Sequence, residues 1–304
     1  MKGRVMRSTG SWYDVYLENN QTMACRVRGK FRLEEYKESN PIAVGDNVEV
    51  QLENKEGVIT NIQERKNHIL RQSVKKTGHA HVLAANIDQA VLLATLTQPR
   101  TSTGFIDRFL VTAESFEIPS ILIFNKLDIL TPKEIEHQHE LIATYEKIGI
   151  KSLQLSALYD NLVQVSIILK NKTSLLAGHS GVGKSTLLNK LSPAIQQPTR
   201  EISDFSEKGK HTTTFAEMFS LDENTFIIDT PGVKEWGLVS MSSEELSDNF
   251  PEMRDLRSTC KFGYRCLHQN EPKCAVKEAV EKGEVALSRY QSYISMLVGA
   301  DNRK

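Results

Sequence analysis

Eight residues past the middle of the chain, Gly178-His179-Ser180-Gly181-Val182-Gly183-Lys184-Ser185, complete the pattern G-x4-G-K-S. That pattern tolerates few folds, because it functions only as the loop between a β-strand and a following helix. The flanking sequence supplies both: Thr173-Ser174-Leu175-Leu176-Ala177 is an apolar run of strand length, and residues 184–191 begin a helix. In such a loop Gly178 and Gly183 let backbone N–H groups wrap phosphate oxygens at a helix N-terminus. Lys184 reaches β- and γ-phosphates and Ser185 binds Mg²⁺. His179, Ser180, Gly181, Val182 and Thr186 complete the expected cradle. A chance glycine-rich turn would not come with a strand on one side and a helix on the other.

Four shorter motifs gain meaning from this one. Asp229-Thr230-Pro231-Gly232 follows the apolar run 225–228, so Asp229 is placed to contact Mg²⁺ and Gly232 to offer its N–H to the γ-phosphate. Asn125-Lys126-Leu127-Asp128 ends the strand-like run 120–124. A carboxylate at Asp128 can accept hydrogen bonds from both the ring N–H and the exocyclic amine of guanine. Adenine lacks that pair and would leave a buried charge unmatched. Lys126 can lie along the base and Asn125 can tie loops together. Ser156-Ala157, after the short run 153–155, is expected to offer backbone N–H to guanine O6. His211-Thr212-Thr213-Thr214 lies between the phosphate loop and Asp229, where a switch threonine, assigned to Thr213, would join Ser185 and Asp229 on Mg²⁺. An edge strand is the other reading of the threonine run.

The order of these pieces is unusual. Nucleotide switches of this type run phosphate loop, switch threonine, Asp-x-x-Gly, Asn-Lys-x-Asp, Ser-Ala. Here the last two come first. Joining the ends of a compact domain and reopening it elsewhere preserves the site, because such ends lie close together. Strands alternating with helices from residue 86 onward predict a parallel sheet covered on both faces, with helices over 105–116 and 132–148.

Upstream, short runs at 4–7, 12–17, 22–27, 47–52 and 57–62 read as five strands of a small closed barrel. An OB-fold is the first candidate and an SH3-like barrel the alternative. Lys+Arg and Asp+Glu both total 38, so net charge says nothing about nucleic acid, but its distribution does. Residues 1–33 hold seven Lys/Arg against two Asp/Glu, 34–56 two against seven, and 57–81 five against one. Such blocks can form a basic face. Trp12, Tyr13, Tyr16, Arg26, Arg28, Lys30 and Arg32 could contact single-stranded RNA, although each aromatic is also a candidate for barrel core. Residues 65–81 hold five Lys/Arg and no carboxylate; this stretch reads as a basic linker, with Lys75 and Lys76 as a second candidate RNA contact.

Downstream of Trp236 the expectation is helical: 243–249, 253–257 and a long stretch over 274–297. Cys260, Cys266, His268 and Cys274 fall inside 15 positions, three thiolates and an imidazole that suit a tetrahedral structural Zn²⁺. Cys25 is expected to be an ordinary strand residue. No apolar run approaches the roughly 18 residues that span a bilayer, and the first nine residues carry no secretory core. A cytoplasmic protein with no membrane partner is expected. The domain plan is 1–66, an OB-fold RNA-binding unit; 67–84, the linker; 85–236, a circularly permuted P-loop GTPase unit; and 237–304, a mostly helical zinc-binding unit.

Taken together these residues resemble one family, the circularly permuted GTPases dependent on the small ribosomal subunit (RsgA). The resemblance spans nearly the whole chain and includes Glu271-Pro272-Lys273-Cys274-Ala275-Val276. One departure is visible: five residues separate Cys260 from Cys266, where the family pattern has four. The resemblance implies a late-acting assembly factor that is monomeric, binds the 30S subunit and its 16S rRNA, and hydrolyses GTP to GDP and phosphate when the particle stimulates it. GTP or GDP with Mg²⁺ and one Zn²⁺ are the implied ligands. Val233 stands where many switch GTPases carry the glutamine that orients water, so hydrolysis by the isolated chain is expected to be slow. The resemblance suggests His211 as the group that supplies this function, alongside Lys184 and Thr213; packing of the loop is the other reading of His211.

Overall fold

Alternation of buried and exposed side chains builds the first unit. In the computed structural model, which describes residues 1–27, 42–53, 56–72, 80–192, 195, 216–230 and 241–299, strand β2 (Tyr13–Leu17) turns Tyr13, Val15 and Leu17 inward. Around it lie β1 (Lys2–Ser8), β3 (Thr22–Val27), β4 (Asn47–Glu53) and β5 (Glu56–Ile62). The hydrogen-bonded circuit runs β1-β2-β3-β5-β4 and closes through β1 with β4; β3 and β5 are parallel. This is the OB-like expectation, not the SH3-like alternative. Val5, Val15, Leu17, Cys25, Val48, Val50 and Ile59 fill the barrel. Burial, with Asp14 nearby, pushes the Cys25 thiol up to about 11, as befits an inert core residue.

The linker expectation needs correction. Within 67–84 the chain forms β6 (His68–Gln72), and with β7 (Ala80–Ala85) it makes a two-stranded antiparallel pair. Ile69 and Ala84 are fully buried in the core of the next unit. This segment joins barrel to GTPase unit through directed bonds. Arg65 pairs with the fully buried Asp46 at 2.7 Å. Asn67 and Ile87 exchange two bonds of 2.8 Å, and Ala85 N–H donates to Val44 O at 2.9 Å. The apolar signal was too short, inside a basic stretch, to stand out as strand.

The central unit follows as β8 (Gln89–Ala94), α1 (Thr103–Ser115), β9 (Ser120–Phe124), α2 (Pro132–Glu146), β10 (Lys151–Gln154), α3 (Val163–Leu169), β11 (Thr173–Ala177), α4 (Lys184–Leu191), β12 (Glu217–Ser220) and β13 (Phe226–Asp229). Helix starts obey local chemistry: Ser102 caps α1, and Thr131 with Glu134 forms a capping box on α2 behind Pro132. Strands β10-β9-β8-β11-β13 are parallel. Every residue of β8 and β11 is buried, as strands covered on both faces must be. Phe105, Phe109 and Tyr145 pack one face, and Val165, Leu187 and Leu188 the other.

The strands expected to be parallel are so, and a further strand, β12, extends the sheet: it is antiparallel to β13 and reaches β1 through Arg7 and Glu217. Barrel and GTPase sheets are thereby hydrogen-bonded into one. Arg4 reinforces the seam, lying 4.7 Å from the Phe226 ring centroid and donating to Thr173 Oγ1 at 3.2 Å.

The C-terminal unit contains α5 (Ser243–Asp248), α6 (Pro251–Arg257), α7 (Ala275–Glu281) and α8 (Leu287–Leu297). The single helix expected over 274–297 is two, broken where Gly283 takes φ +74°. Phe250, Met253, Tyr293 and Met296 pack with Val111 of α1. Beside them Arg289, 1% exposed, donates to Asp107 of α1 at 2.8 Å and to Glu252 at 2.7 Å. Burial raises the Asp107 carboxyl, and Arg289, Ser292 and Tyr145 oppose that rise.

At the barrel joint, Gly45 has φ +92°, and a Cβ there would lie 2.1 Å from Ala85 O. Gly45→Ala is therefore expected to cost about 3 kcal/mol from left-handed backbone strain and overpacking, read as a lowered thermal midpoint with the C-terminal metal content unchanged.

Candidate functional site

The nucleotide-site motifs that lie among the described residues sit at the carboxyl ends of strands of the parallel sheet, the place where open α/β sheets bind ligands. Strand β11 delivers Gly178, β9 delivers Asn125, β13 delivers Asp229, and β10 leads to Ser156. The sheet order β10-β9-β8-β11-β13 sets the nucleobase motifs on one side and the phosphate motifs on the other.

The phosphate loop has the backbone its glycines allow. Gly178, Gly181 and Gly183 take φ +151°, +83° and +102°. A Cβ on Gly178 would lie 2.4 Å from Leu93 O, and one on Gly183 would lie 2.4 Å from Asn125 Nδ2. Val182 is fully buried and pins the loop to the core. His179 packs its ring on Phe105 at 3.9 Å between centroids. Lys184 Nζ spans the loop, donating to Gly178 O at 2.6 Å and His179 O at 3.0 Å. Burial lowers the pKa of its ammonium, and the nearby Asp229 works against that. A lysine so held is already aimed into the loop. The cradle, the lysine, the Ser185 hydroxyl and the Asp229 carboxylate form a donor set that fits a nucleotide phosphate with Mg²⁺.

Asn125 is the joint between the two halves. It is 3% exposed; its Nδ2 donates to Val182 O at 2.8 Å and its Oδ1 accepts from Ala157 N–H at 2.8 Å. Lys126 follows in left-handed backbone, φ +65°, which turns Asp128 into a short 3-10 turn, Leu127–Ile129. Lys126 Nζ donates to Gln98 O. Burial lowers the Lys126 pKa and Asp128 raises it.

The Ser156-Ala157 pair sits beside this turn, with both N–H groups engaged. That of Ala157 goes to Asn125, and that of Ser156 to Asp160 Oδ2 at 2.7 Å. Asp160, absent from the motif reading, orders this loop; its position four residues after Ser156 was the only available signal. The loop 95–101 was also not foreseen. It holds itself through Thr95 N–H to Thr101 Oγ1 at 3.1 Å and places Gln98 against Lys126. His211, Thr212, Thr213, Thr214, Gly232 and Val233 lie outside the described residues, as do Arg28, Lys30, Arg32, Lys75 and Lys76.

Of the aromatic candidates in the barrel, Tyr13 is core at 2% exposure and Trp12 is 42% exposed. Tyr16 packs edge-on against Phe226 at 6.3 Å. Arg26 pairs with Glu56.

The second site is the cysteine cluster. Cys260, Cys266, His268 and Cys274 are all buried, with ligand atoms within 4.8 Å of one another. His268 Nδ1 faces Cys274 Sγ at 3.3 Å and Cys260 Sγ at 3.7 Å, while Nε2 lies 3.0 Å from Ser247 Oγ. The serine thus fixes the ring with Nδ1 turned to the sulfurs. Burial, with Arg257 adding to it, drops the His268 pKa to about 4, so the ring is neutral, as a ligand must be. Burial pushes the Cys266 thiol up to about 12, so a thiolate there needs a cation beside it. Three sulfurs and one nitrogen at this spacing fit tetrahedral zinc. The five-residue gap after Cys260 is taken up by a 3-10 turn, Gly263–Arg265. Glu271 closes the loop by accepting from Leu267 N–H and Gln269 N–H, each at 2.8 Å.

Comparison with known proteins agrees with this geometry. The family model described as RsgA GTPase matches residues 62–239, and that described as RsgA N-terminal domain matches 2–59. A protein of Christiangramia forsetii named "Small ribosomal subunit biogenesis GTPase RsgA" is 47% identical over 99% of this chain and 97% of its own length. A Bacteroides fragilis protein of the same name is 45% identical over 100% and 98%. Among solved structures, YjeQ from Thermotoga maritima aligns with TM-score 0.78 and 34% identity, covering 100% of this chain and 99% of that one. YloQ, titled a circularly permuted GTPase, aligns with TM-score 0.75 and 33% identity over 100% and 96%.

Removing one ligand by Cys274→Ser is expected to abolish stoichiometric zinc in the purified protein, measured by atomic absorption. It should also destabilise the C-terminal helices by at least about 3 kcal/mol, since structural zinc sites contribute folding energy directly.

Proposed function

The chain belongs to the RsgA GTPase family and is a GTP-hydrolysing enzyme, and on that footing we propose how it acts in maturation of the small ribosomal subunit. The observation that carries the reading is Asn125, which bonds the phosphate loop to the Ser156-Ala157 loop within one site assembled in permuted order. A phosphate loop serves ATP and GTP enzymes alike. The same loop tied to Asn125, Lys126 and Asp128 selects guanine.

In this proposal Asp128 accepts from the guanine ring N–H and exocyclic amine, Lys126 leaves Gln98 to lie along the base, and the Ser156-Ala157 loop, whose own N–H groups are taken by Asp160 and Asn125, borders the O6 edge without donating to it. Residues 178–185 wrap the β- and γ-phosphates with backbone N–H. Lys184 spans both phosphates and neutralises charge that develops during transfer. Ser185 and Asp229 would hold Mg²⁺, which would supply charge neutralisation at the phosphates. Thr213 completes that set, Gly232 contacts the γ-phosphate, and His211 orients the attacking water once a partner orders its segment. With Val233 in place of a polar side chain, turnover by the isolated chain is slow. The partner is the 30S subunit, approached through 16S rRNA by the barrel, where among the described residues Trp12 is an exposed aromatic. Zinc holds the C-terminal helices. Among the described residues no helix is long and apolar enough to cross a membrane, and the proposed place of action is the cytoplasm. The proposed units are 1–66, 85–236 and 237–304, with the β6–β7 hairpin joining the first two, acting as a monomer.

Two measurements test this. GTP turnover at fixed salt is expected to rise at least about 10-fold with purified 30S subunits and not with 50S subunits; a 30S-independent rate would overturn the ribosomal reading and leave the guanine site standing. Asp128→Asn replaces one acceptor oxygen by a donor NH₂. It is expected to weaken GDP binding by about 100-fold or more and to favour xanthine nucleotides, whose extra carbonyl accepts that bond. Unchanged GDP affinity would refute the assignment of Asp128.

A further inference from the structure

Helix α1 touches the phosphate loop at one end and the zinc-binding unit along its length. Near its start, Phe105, 2% exposed, stacks on His179 of the loop at 3.9 Å. Two residues later Asp107 receives Arg289 of α8 at 2.8 Å and Tyr145 of α2 at 3.0 Å. Arg289 is also held by Glu252 of α6 through two bonds, at 2.7 and 3.2 Å, and lies 4.6 Å from the Phe250 ring centroid. In the last turn Glu114 receives Arg254 of α6 at 2.7 Å. Val111, between them, is buried against Phe250, Met253 and Tyr293.

The segment entering α1 is equally engaged. Ser102 caps the helix by accepting from Phe105 N–H at 3.3 Å. Gln98 O receives Lys126, and Pro99 lies against Gly181, whose added Cβ would meet Pro99 Cδ at 3.5 Å. A helix of 13 residues is a rod of about 20 Å, and Phe105 and Asp107 lie within one turn of it. A shift of α1 large enough to disturb Arg289 therefore moves Phe105 against the phosphate loop. Breaking the ion pair instead would strand a charge in the interior, which is strongly disfavoured.

We propose that α1 is the mechanical link between the zinc-binding unit and the nucleotide site: Phe105 is a positioning residue for the phosphate loop, acting through His179, and Arg289 is the residue through which the C-terminal helices set α1. This rests on the reading of residues 178–185 as a phosphate site. Coupling of this kind is reciprocal. A partner that displaces the C-terminal helices changes nucleotide affinity, and nucleotide binding changes the protection of those helices. No nucleotide contact by Phe105 or Arg289 is involved, so both act on affinity for the phosphates and leave the choice of base to Asp128.

The test is a double-mutant cycle on the full-length, zinc-loaded protein with Phe105→Leu and Arg289→Lys. Fluorescent GDP affinity is read at equilibrium, and amide hydrogen exchange of residues 287–297 with and without GDP. Each single variant is expected to weaken GDP binding about 5- to 100-fold, the usual range of coupling between sites, with the GDP-to-ADP preference unchanged. The double variant should lose markedly less than the product of the two, and GDP should slow exchange in 287–297 in wild type but not in Phe105→Leu. If Arg289→Lys fails to retain zinc, Arg254→Gln, at the exposed pair with Glu114, takes its place in the cycle. Multiplicative losses, with GDP leaving exchange in 287–297 untouched, would overturn the link. Failure of the wild type to bind GDP would instead overturn the reading of the nucleotide site.

Discussion

Asn125 is the constraint on which the site depends. Its two bonds, to Val182 O and from Ala157 N–H, join loops that lie 57 and 32 residues away along the chain. Burial makes both bonds obligatory, because removing the amide would leave a carbonyl and an N–H without partners in the interior. The closeness of Gly183, whose Cβ would collide with Nδ2, shows that the loop glycine and the asparagine were fitted to each other. Permutation changes which of these segments is made first and where the chain is open. It does not change the spatial order β10-β9-β8-β11-β13, and that order is what aligns base recognition with phosphate binding.

The three units are not beads on a string. Barrel and GTPase sheets share a hydrogen-bonded seam at β1 and β12, and the hairpin β6–β7 packs Ile69 and Ala84 into the central core. The buried Arg65–Asp46 pair and the Asn67–Ile87 exchange make the joint directional, since ion pairs and amide bonds fix orientation where apolar contact alone would let surfaces slide. On the opposite side, Arg289 links α8 to α1 and α6. Buried ionic groups of this sort contribute little net stability when complete, yet are costly to break. They therefore specify how the units sit on one another.

The cysteine cluster follows the same logic at smaller scale. Short helices α5, α6 and α7 of six or seven residues cannot persist on their own propensity. Cys260, Cys266, His268 and Cys274 gather them around one point, Ser247 orients the imidazole, and Tyr290 and Tyr293 bind the carbonyls of His268 and Leu267 at 2.6 and 2.8 Å. A metal held by this cluster would share with the small apolar core the work of stabilising the unit.

The sequence by itself determined the parts whose chemistry is local. A glycine-spaced phosphate loop between strand and helix, the Asn125-Lys126-Leu127-Asp128 turn, and the grouping of Cys260, Cys266, His268 and Cys274 each depend on residue type at fixed spacing, which is legible without coordinates. Five barrel strands were visible because one buried face imposes a period of two. Tertiary structure alone decided the rest. Strands β6 and β12 carry two large apolar residues each, too few to announce themselves, and β12 is stabilised by β1, a partner distant in sequence. The break at Gly283, the engagement of Ser156 and Ala157 N–H, the Phe105–His179 stack and the Arg289–Asp107 pair are likewise invisible in one dimension. Burial and pairing across up to 182 positions are properties of the packed chain, and no local pattern encodes which charge will meet which.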